Sequence, residues 1–339
     1  MALYKDVTVS IDVLKPSGSV TSTNALLVVQ KAGGFAYKEY TGDEAIEAIE
    51  LDFAATTEVF KMASALLRQN NRPEKVAIVG YDGTSGSADA AAAVVKDNFN
   101  QDWYYVALDS ADTAAQIALV QALDERDNKI AVLRVNDVAD AQTLHAATID
   151  RYYVLYTPET DEYIDAAFIG EYVADSAGSA TAKFKQLEGI TPVTLSFDEY
   201  NALEAANASS YVTKFGEPQT SGSKLGGGEF LDVVAGNDWM IAMLEQRVQF
   251  LYMKNRKISY EQAGANMIGA EVESVMKLGV ENDIIAEDAE GNGMFNVIIP
   301  DVQAMSEADR ASRKLRGVKF SYRLAGAIEE VDIKGQVSF

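Results

Sequence analysis

The chain has 339 residues, 48% hydrophobic and 24% charged, which is the balance of a folded globular protein with room for two domains or one domain carrying an insertion. Its 51 acidic against 29 basic residues give a formal charge of −22, which argues against general affinity for nucleic acid or anionic membranes. There is no cysteine, so disulfides, thiolate nucleophiles and cysteine metal sites are excluded.

The opening M-A-L-Y-K-D-V lacks the apolar core of a signal peptide, and no apolar run approaches a membrane span, so synthesis and folding in a cytoplasm are expected. Val7, Val9, Ile11 and Val13 then alternate with Thr8, Ser10 and Asp12, the period-two pattern of a half-buried strand. Pro16-Ser17-Gly18-Ser19 reads as a joint or linker. From about Ala25 to Ala180 the pattern is strand, loop, helix, repeated. Short apolar runs at 25–29, 76–80, 103–108, 130–135 and 152–156 predict strands, and 87–98, 113–125, 138–147 and 163–174 predict helices. Such near-continuous β-branched and aromatic runs suit a parallel sheet covered on both faces.

Beyond Gly178 the character changes. Residues 184–194 read as a connector and 196–207 as a short helix with a Ser or Asp cap. A strand is expected from Val212, a Gly- and Ser-rich loop over 215–228, and another strand over 230–234. Helices follow over 239–253 and 260–278, a strand over 295–299 and a short helix over 306–315. The last segment is again strand-like: Val318, Phe320, Tyr322 and Leu324 share a face, and Val331 and Ile333 resume the alternation after Ala325-Gly326. A strand at either end of a chain needs a sheet to join, its own or a neighbour's, because unpaired backbone groups are costly when buried. The resulting organisation is an α+β domain, made of the N-terminal strand and the C-terminal half, with an α/β domain inserted between them.

No catalytic constellation stands out. The strand-loop-helix segment V-A-I-V-G-Y-D-G-T-S-G-S (76–87) has a phosphate-loop outline but neither a G-x-G-x-x-G nor a Lys-Ser/Thr pair, so a plain tight turn is preferred. G-S-K-L-G-G-G-E (222–229) fits no phosphate-loop spacing and reads as a mobile surface loop. His145, the only histidine, falls in a helical pattern and reads as a surface residue. The acids at 158–162 lack a full Ca²⁺ ligand set and read as a solvated loop, while the acidic loop at 287–293 offers at most weak cation binding. No cofactor or metal is expected. Two basic groups do stand out on so acidic a chain: Arg247, Lys254, Arg256 and Lys257, and then Arg310, Arg313, Lys314, Arg316 and Lys319. Arg310, Arg313 and Lys314 have the spacing of one helical face. They are either a solvated face or a surface for an acidic partner.

Ordered features from Phe184 onward resemble the tail sheath proteins of contractile phages and related contractile injection particles. They are F-K-Q-L-E-G-I-T-P (184–192), Tyr211-Val212, G-G-E-F-L-D-V-V-A-G-N-D-W-M (227–240), K-I-S-Y (257–260), S-E-A-D-R-A-S-R (306–313) and L-A-G-A-I-E-E-V-D-I-K-G-Q-V (324–337). The resemblance implies a conserved sheath domain near a central tube, with variable domains inserted outward and terminal arms adding strands to neighbouring subunits in stacked six-fold rings. The expected division is an N-terminal arm and first strand (1–22), an inserted α/β domain (23–182), a conserved sheath domain (183–327) and a C-terminal arm (328–339). The arm residues would be Val7, Val9, Ile11, Val13, Ile328, Val331, Ile333 and Val337, with Arg310, Arg313, Lys314 and Arg316 facing the tube. Implied partners are further copies of the chain, the tail tube protein, and baseplate and tail terminator proteins, in a virion tail assembled in the host cytoplasm. No enzymatic activity is expected. The alternative is a small-molecule-binding or enzymatic protein that uses the α/β domain.

Overall fold

The computed structural model describes residues 24–83, 89–126, 128–175 and 177–332. Its centre is an eight-stranded sheet: β1 (Ala25–Gln30), β2 (Phe35–Thr41), β3 (Lys75–Tyr81), β4 (Tyr105–Leu108), β5 (Ile130–Val135), β6 (Tyr152–Tyr156), β7 (Ser209–Lys214) and β8 (Glu217–Thr220). The spatial order is β2-β3-β1-β4-β5-β6-β7-β8. From β3 to β7 all neighbours run parallel, and the two edge strands are antiparallel. The apolar runs explain this arrangement, because a parallel strand with helical crossovers buries both faces. In β1, Ala25, Leu27 and Val29 point into one core while Leu26 and Val28 point into the other.

Helices α1 (Ala45–Asp52), α2 (Glu58–Leu67) and α6 (Ile164–Tyr172) cover the first face. Helices α3 (Asp89–Asp97), α4 (Thr113–Asp124), α5 (Val138–Ala146) and α7 (Phe197–Ala205) cover the second. α7 starts at Ser196, the cap its sequence offers, and the cap is a capping box: Ser196 accepts from the Glu199 amide and Glu199 accepts from the Ser196 amide. Gly80 is required where β2 crosses β3, because a Cβ there would stand 2.6 Å from the Cβ of Phe35.

Three expectations change. Residues 230–234 are not a strand. Leu231 opens α8 (Leu231–Lys254), since Leu231, Val234 and Ala235 form one helical face on the sheet core and override the β preference of Val233 and Val234. The loop expected over 215–228 contains β8, reached by a two-residue turn at Phe215 and Gly216, both with positive φ (52° and 92°). The expected division at 182/183 falls inside the sheet: β6 pairs with β7 at Leu155–Ser209 and Tyr156–Ser210. Leu187, Ile190, Tyr211 and Leu225 also belong to the sheet's core.

A second core begins partway along α8. Met240, Ile241 and Leu244 pack against Val272, Val275 and Met276 of α9 (Gln262–Glu281) and against Ile284 and Ile285. β9 (Phe295–Ile298) and β10 (Lys319–Tyr322) complete this C-terminal unit as a two-stranded antiparallel sheet. Between the cores, Asp238 of α8 accepts from the Arg151 guanidinium at 2.6 and 3.1 Å and from the Tyr104 hydroxyl at 2.8 Å, all buried. A first strand of this unit from residues 1–22 lies outside the described residues.

Candidate assembly surface

The C-terminal unit is where open hydrogen-bonding groups and apolar surface coincide. β9 and β10 pair in the register Phe295–Tyr322, Asn296–Ser321, Val297–Phe320 and Ile298–Lys319. Phe295, Val297, Val318, Phe320 and Tyr322 lean on the second core, as the alternation predicts, and the Tyr322 hydroxyl donates to the Asn237 side chain at 2.6 Å. Leu324 leaves that face. It is half exposed and bridges to Ile285. Among the described residues neither strand has a second strand neighbour. Two strands are a marginal sheet alone, and an open edge is a template for another strand.

The last segment runs from this sheet onto the α/β unit. The Ala325 amide donates to the Ile284 carbonyl at 3.0 Å. Burial of Asp232, at the start of α8, raises its pKa, and the backbone amides of Val233 and of Asp232 itself partly offset the rise. Thr181 then donates to Glu329 at 2.7 Å, with the Lys183 ammonium at 3.7 Å. Ile328 and Val331, two of the expected arm residues, are 87% and 77% exposed, and residues 325–332 form no strand. Val7, Val9, Ile11, Val13, Ile333 and Val337 lie outside the described residues.

The basic groups are arranged differently from the expectation. α10 covers only Glu307–Ala311, shorter than the helix expected over 306–315. It ends in a Schellman turn: the Lys314 amide bonds to the Asp309 carbonyl, the Arg313 amide to the Arg310 carbonyl, and Arg313 sits at φ 56°. Arg310, Arg313 and Lys314 therefore do not share a helical face. Arg310 turns back to the Val302 carbonyl at 2.5 Å, and Arg316 pairs with Asp309 at 2.9 Å. The Ser306 hydroxyl and then Arg316 lower the pKa of Asp309. Arg313 and Lys314 are exposed and have no carboxylate partner among the described residues. Tyr260, which follows Arg256 and Lys257, donates to the Lys314 carbonyl at 3.0 Å, so the two basic groups adjoin. Their separation in sequence hid this.

The chemistry-bearing motifs do not assemble. His145 is exposed in the last turn of α5. The loop over 222–229 is held rather than mobile: Leu225 is buried, the Gly226 amide donates to the Tyr152 carbonyl at 2.8 Å, and Gly226 lies flat on the Tyr152 ring. The sheet's switch point lies between the C-terminal ends of β1 and β4, where open α/β sheets hold ligands. Here Asp109 accepts from the Gln30 amide at 2.5 Å and the Tyr81 hydroxyl at 3.1 Å, and Arg134 pairs with Asp165 at 2.9 Å. Burial raises the pKa of both Asp109 and Asp165. Residues 84–88 of the glycine-containing loop lie outside the described residues. Among the described residues, no group of three or more His, Cys, Asp or Glu is placed to hold a metal, and no helix is long and apolar enough to cross a membrane.

Comparison with solved structures defines the class of fold. The chain is similar to one in the cryo-EM structure of the anti-feeding prophage baseplate, with TM-score 0.67 and 13% identity over 98% of each chain. It is also similar to one in the contracted sheath complex of the extracellular contractile injection system PVC, with TM-score 0.67 and 10% identity over 99% of this chain and 98% of that one. The crystal structure of a sheath tail protein from Desulfitobacterium hafniense gives TM-score 0.58 and 10% identity over 86% of this chain and 93% of that one. At these identities the likeness is one of fold.

Residues 231–337 match the family described as E217 tail sheath protein gp31-like, C-terminal domain. The resemblance to contractile tail sheath proteins thus appears in sequence over this region and in fold along the chain. The matched region opens at Leu231, the first residue of α8, and takes in the second core and the two-stranded sheet. No curated protein matches the chain.

Proposed function

We propose that this chain is a structural subunit of a contractile sheath, polymerising as stacked six-fold rings around a tail tube and rearranging on contraction to drive the tube through a host envelope. The observation that carries this reading is the C-terminal unit: a region matching a tail sheath domain that ends in a two-stranded sheet with open edges. The segments of residues 4–14 and 328–339, both strand-patterned, supply the strands such edges accept from neighbouring copies. Arg310, Arg313, Lys314 and Arg316, joined by Arg256 and Lys257 through the Tyr260 contact, form a basic surface toward the tube on an acidic protein. The tube, baseplate and terminator proteins are its partners in the tail of a virion or related particle, assembled in the host cytoplasm.

Magnitudes favour collective strand exchange. A backbone hydrogen bond adds about 0.5–1.5 kcal/mol net and a buried Val or Ile about 1.5–3 kcal/mol, while ordering a residue costs about 1–2 kcal/mol. One exchanged strand is modestly favourable. A lattice of them is strong, because each later contact forms at high effective concentration. Such strands also tether subunits whose compact cores move past one another, and no nucleotide is needed.

Electron microscopy of the purified protein, with and without isolated tail tubes, tests the reading. Rings or striated hollow cylinders are expected, and deletion of Ile328–Phe339 is expected to abolish them. Dispersed subunits even with tubes present would overturn it. Reversing the charges at Arg310, Arg313 and Lys314 is expected to weaken tube association, and unchanged association would remove the tube-facing assignment.

A further inference from the structure

The C-terminal segment buries and exposes the wrong residues for a chain that has merely collapsed onto its own subunit. Ile328 and Val331 are 87% and 77% exposed, whereas the side chain of Glu329 between them is 16% exposed. A free segment gains by covering its aliphatic side chains and leaving an acid in water. What reverses the order here is a set of fixed partners. Glu329 takes the Thr181 hydroxyl at 2.7 Å and faces the Lys183 ammonium at 3.7 Å, and Lys183 is itself only 13% exposed. Four residues earlier, the Ala325 amide donates to the Ile284 carbonyl at 3.0 Å. The strap also walls a cavity of about 360 Å³ against Tyr200 and Leu203 of α7 and the loop at Lys224. Thr181 and Lys183 belong to the connector that leads into β7, and Ile284 to the second core. Both anchors sit on elements that are themselves packed.

We propose that Thr181 and Lys183, gripping Glu329, form a clamp that fixes the departure of the C-terminal segment and displays Ile328 and Val331 as a contact for a second copy of this chain. The occupant follows from the sheath reading, on which this part of the proposal rests. The clamp itself stands on the geometry alone. It lets the segment project without being free: the acid sets its direction and depth, and the apolar pair is kept out of its own subunit.

The test uses the full chain with Glu329→Gln and Lys183→Met, singly and together, and with the charge swap Lys183→Glu/Glu329→Lys. Hydrogen exchange of peptides spanning 325–332 is read on dispersed subunits. About tenfold faster exchange is expected in each single variant, no further gain in the pair, and recovery in the swap. Unchanged exchange in both single variants overturns the clamp. Separately, Ile328→Ser/Val331→Ser, changes on the surface, are expected to leave that exchange unaltered and to slow polymerisation several-fold. Polymerisation at the original rate overturns the display. If the unaltered protein forms no polymers with or without tubes, the sheath reading and the second-copy contact fall together, while the exchange measurement still decides the clamp.

Discussion

Strands β1 (A-L-L-V-V-Q) and β10 (K-F-S-Y) end in opposite conditions. Ala25 to Val29 are fully buried, with β3 on one side of the strand, β4 on the other and helices on both faces. Among the described residues β10 has one strand neighbour, one leaning face and one wet face. The first strand belongs to a sheet that satisfies its own backbone and covers its own surface. The second belongs to a unit whose local structure is complete on one side only. The lesson is that completeness differs within one chain: the large sheet is a self-sufficient body, whereas among the described residues the C-terminal sheet has two strands only and Ile328 and Val331 beyond it are exposed.

The greatest strain on this contrast comes at the place where the two units meet. Asp238 holds Arg151 and Tyr104 inside the protein. Asp238→Ala takes two hydrogen bonds from the buried Arg151 guanidinium and one from the Tyr104 hydroxyl, and breaking a buried pair costs about 3–5 kcal/mol. A loss of that size in urea unfolding is expected, shared by probes in both units because α8 runs through both cores. A loss confined to the C-terminal unit would show that the pair serves that unit alone.

A smaller effect separates the sheet by its response to pH. Lys129, at the start of β5, is buried against the Trp103 ring at 3.8 Å and donates to the Gln101 and Trp103 carbonyls. Burial pushes its pKa down from 10.5 to about 7, with Asp102 opposing the shift. The unfolded chain takes up this proton below about 10.5 and the folded chain only below about 7. Between those values the unfolded state binds more protons, so this group makes stability rise with pH. At about 1.36 kcal/mol per unit the rise is a few kcal/mol at most. Lys129→Met is expected to flatten that rise in denaturation profiles taken from pH 7 to 10. An unchanged slope would mean that the ammonium is better solvated than its surroundings imply.

The parts of the fold legible in the sequence are those decided locally. The runs over 25–29, 130–135 and 152–156 became β1, β5 and β6 because burial on both faces leaves no room for polar residues. Ser196 marked its helix because a capping box is a contact within one turn. F-A-Y-K-E-Y-T, an edge strand with an exposed face, passed unread as β2, and the first turn of α8 was masked by its β-branched pair. The place where the sheet ends could not be read, because β7 returns to it after a long excursion through α6 and the connector. The assembly surface divides in the same way. Its alternating strand and basic clusters are visible along the chain. The Tyr260 bond to Lys314 and the Thr181 bond to Glu329 span 54 and 148 residues and are decided only by packing. The left-handed Arg313 that ends α10 carries an αL cost of roughly 1–2 kcal/mol, and no glycine is there to announce it.

The finest test of the contrast lies inside the unfinished unit. The Tyr322 hydroxyl reaches the Asn237 side chain of α8, the one described side-chain hydrogen bond from β10 to the helices beneath it. Tyr322→Phe removes that bond and keeps the ring on the second core, so a loss of about 0.5–1.5 kcal/mol is expected. In a self-sufficient sheet such a loss is spread over the whole cooperative body. In a two-stranded sheet with few supports it concentrates locally, because regions with few buried contacts open independently of the rest. Amide exchange over residues 295–298 and 319–322 should therefore quicken by up to about tenfold, while exchange in β1 and β5 stays as it was. Equal acceleration in β1 would mean that the two regions open as one, and that the C-terminal sheet draws its stability from the large one rather than waiting for a partner's strand.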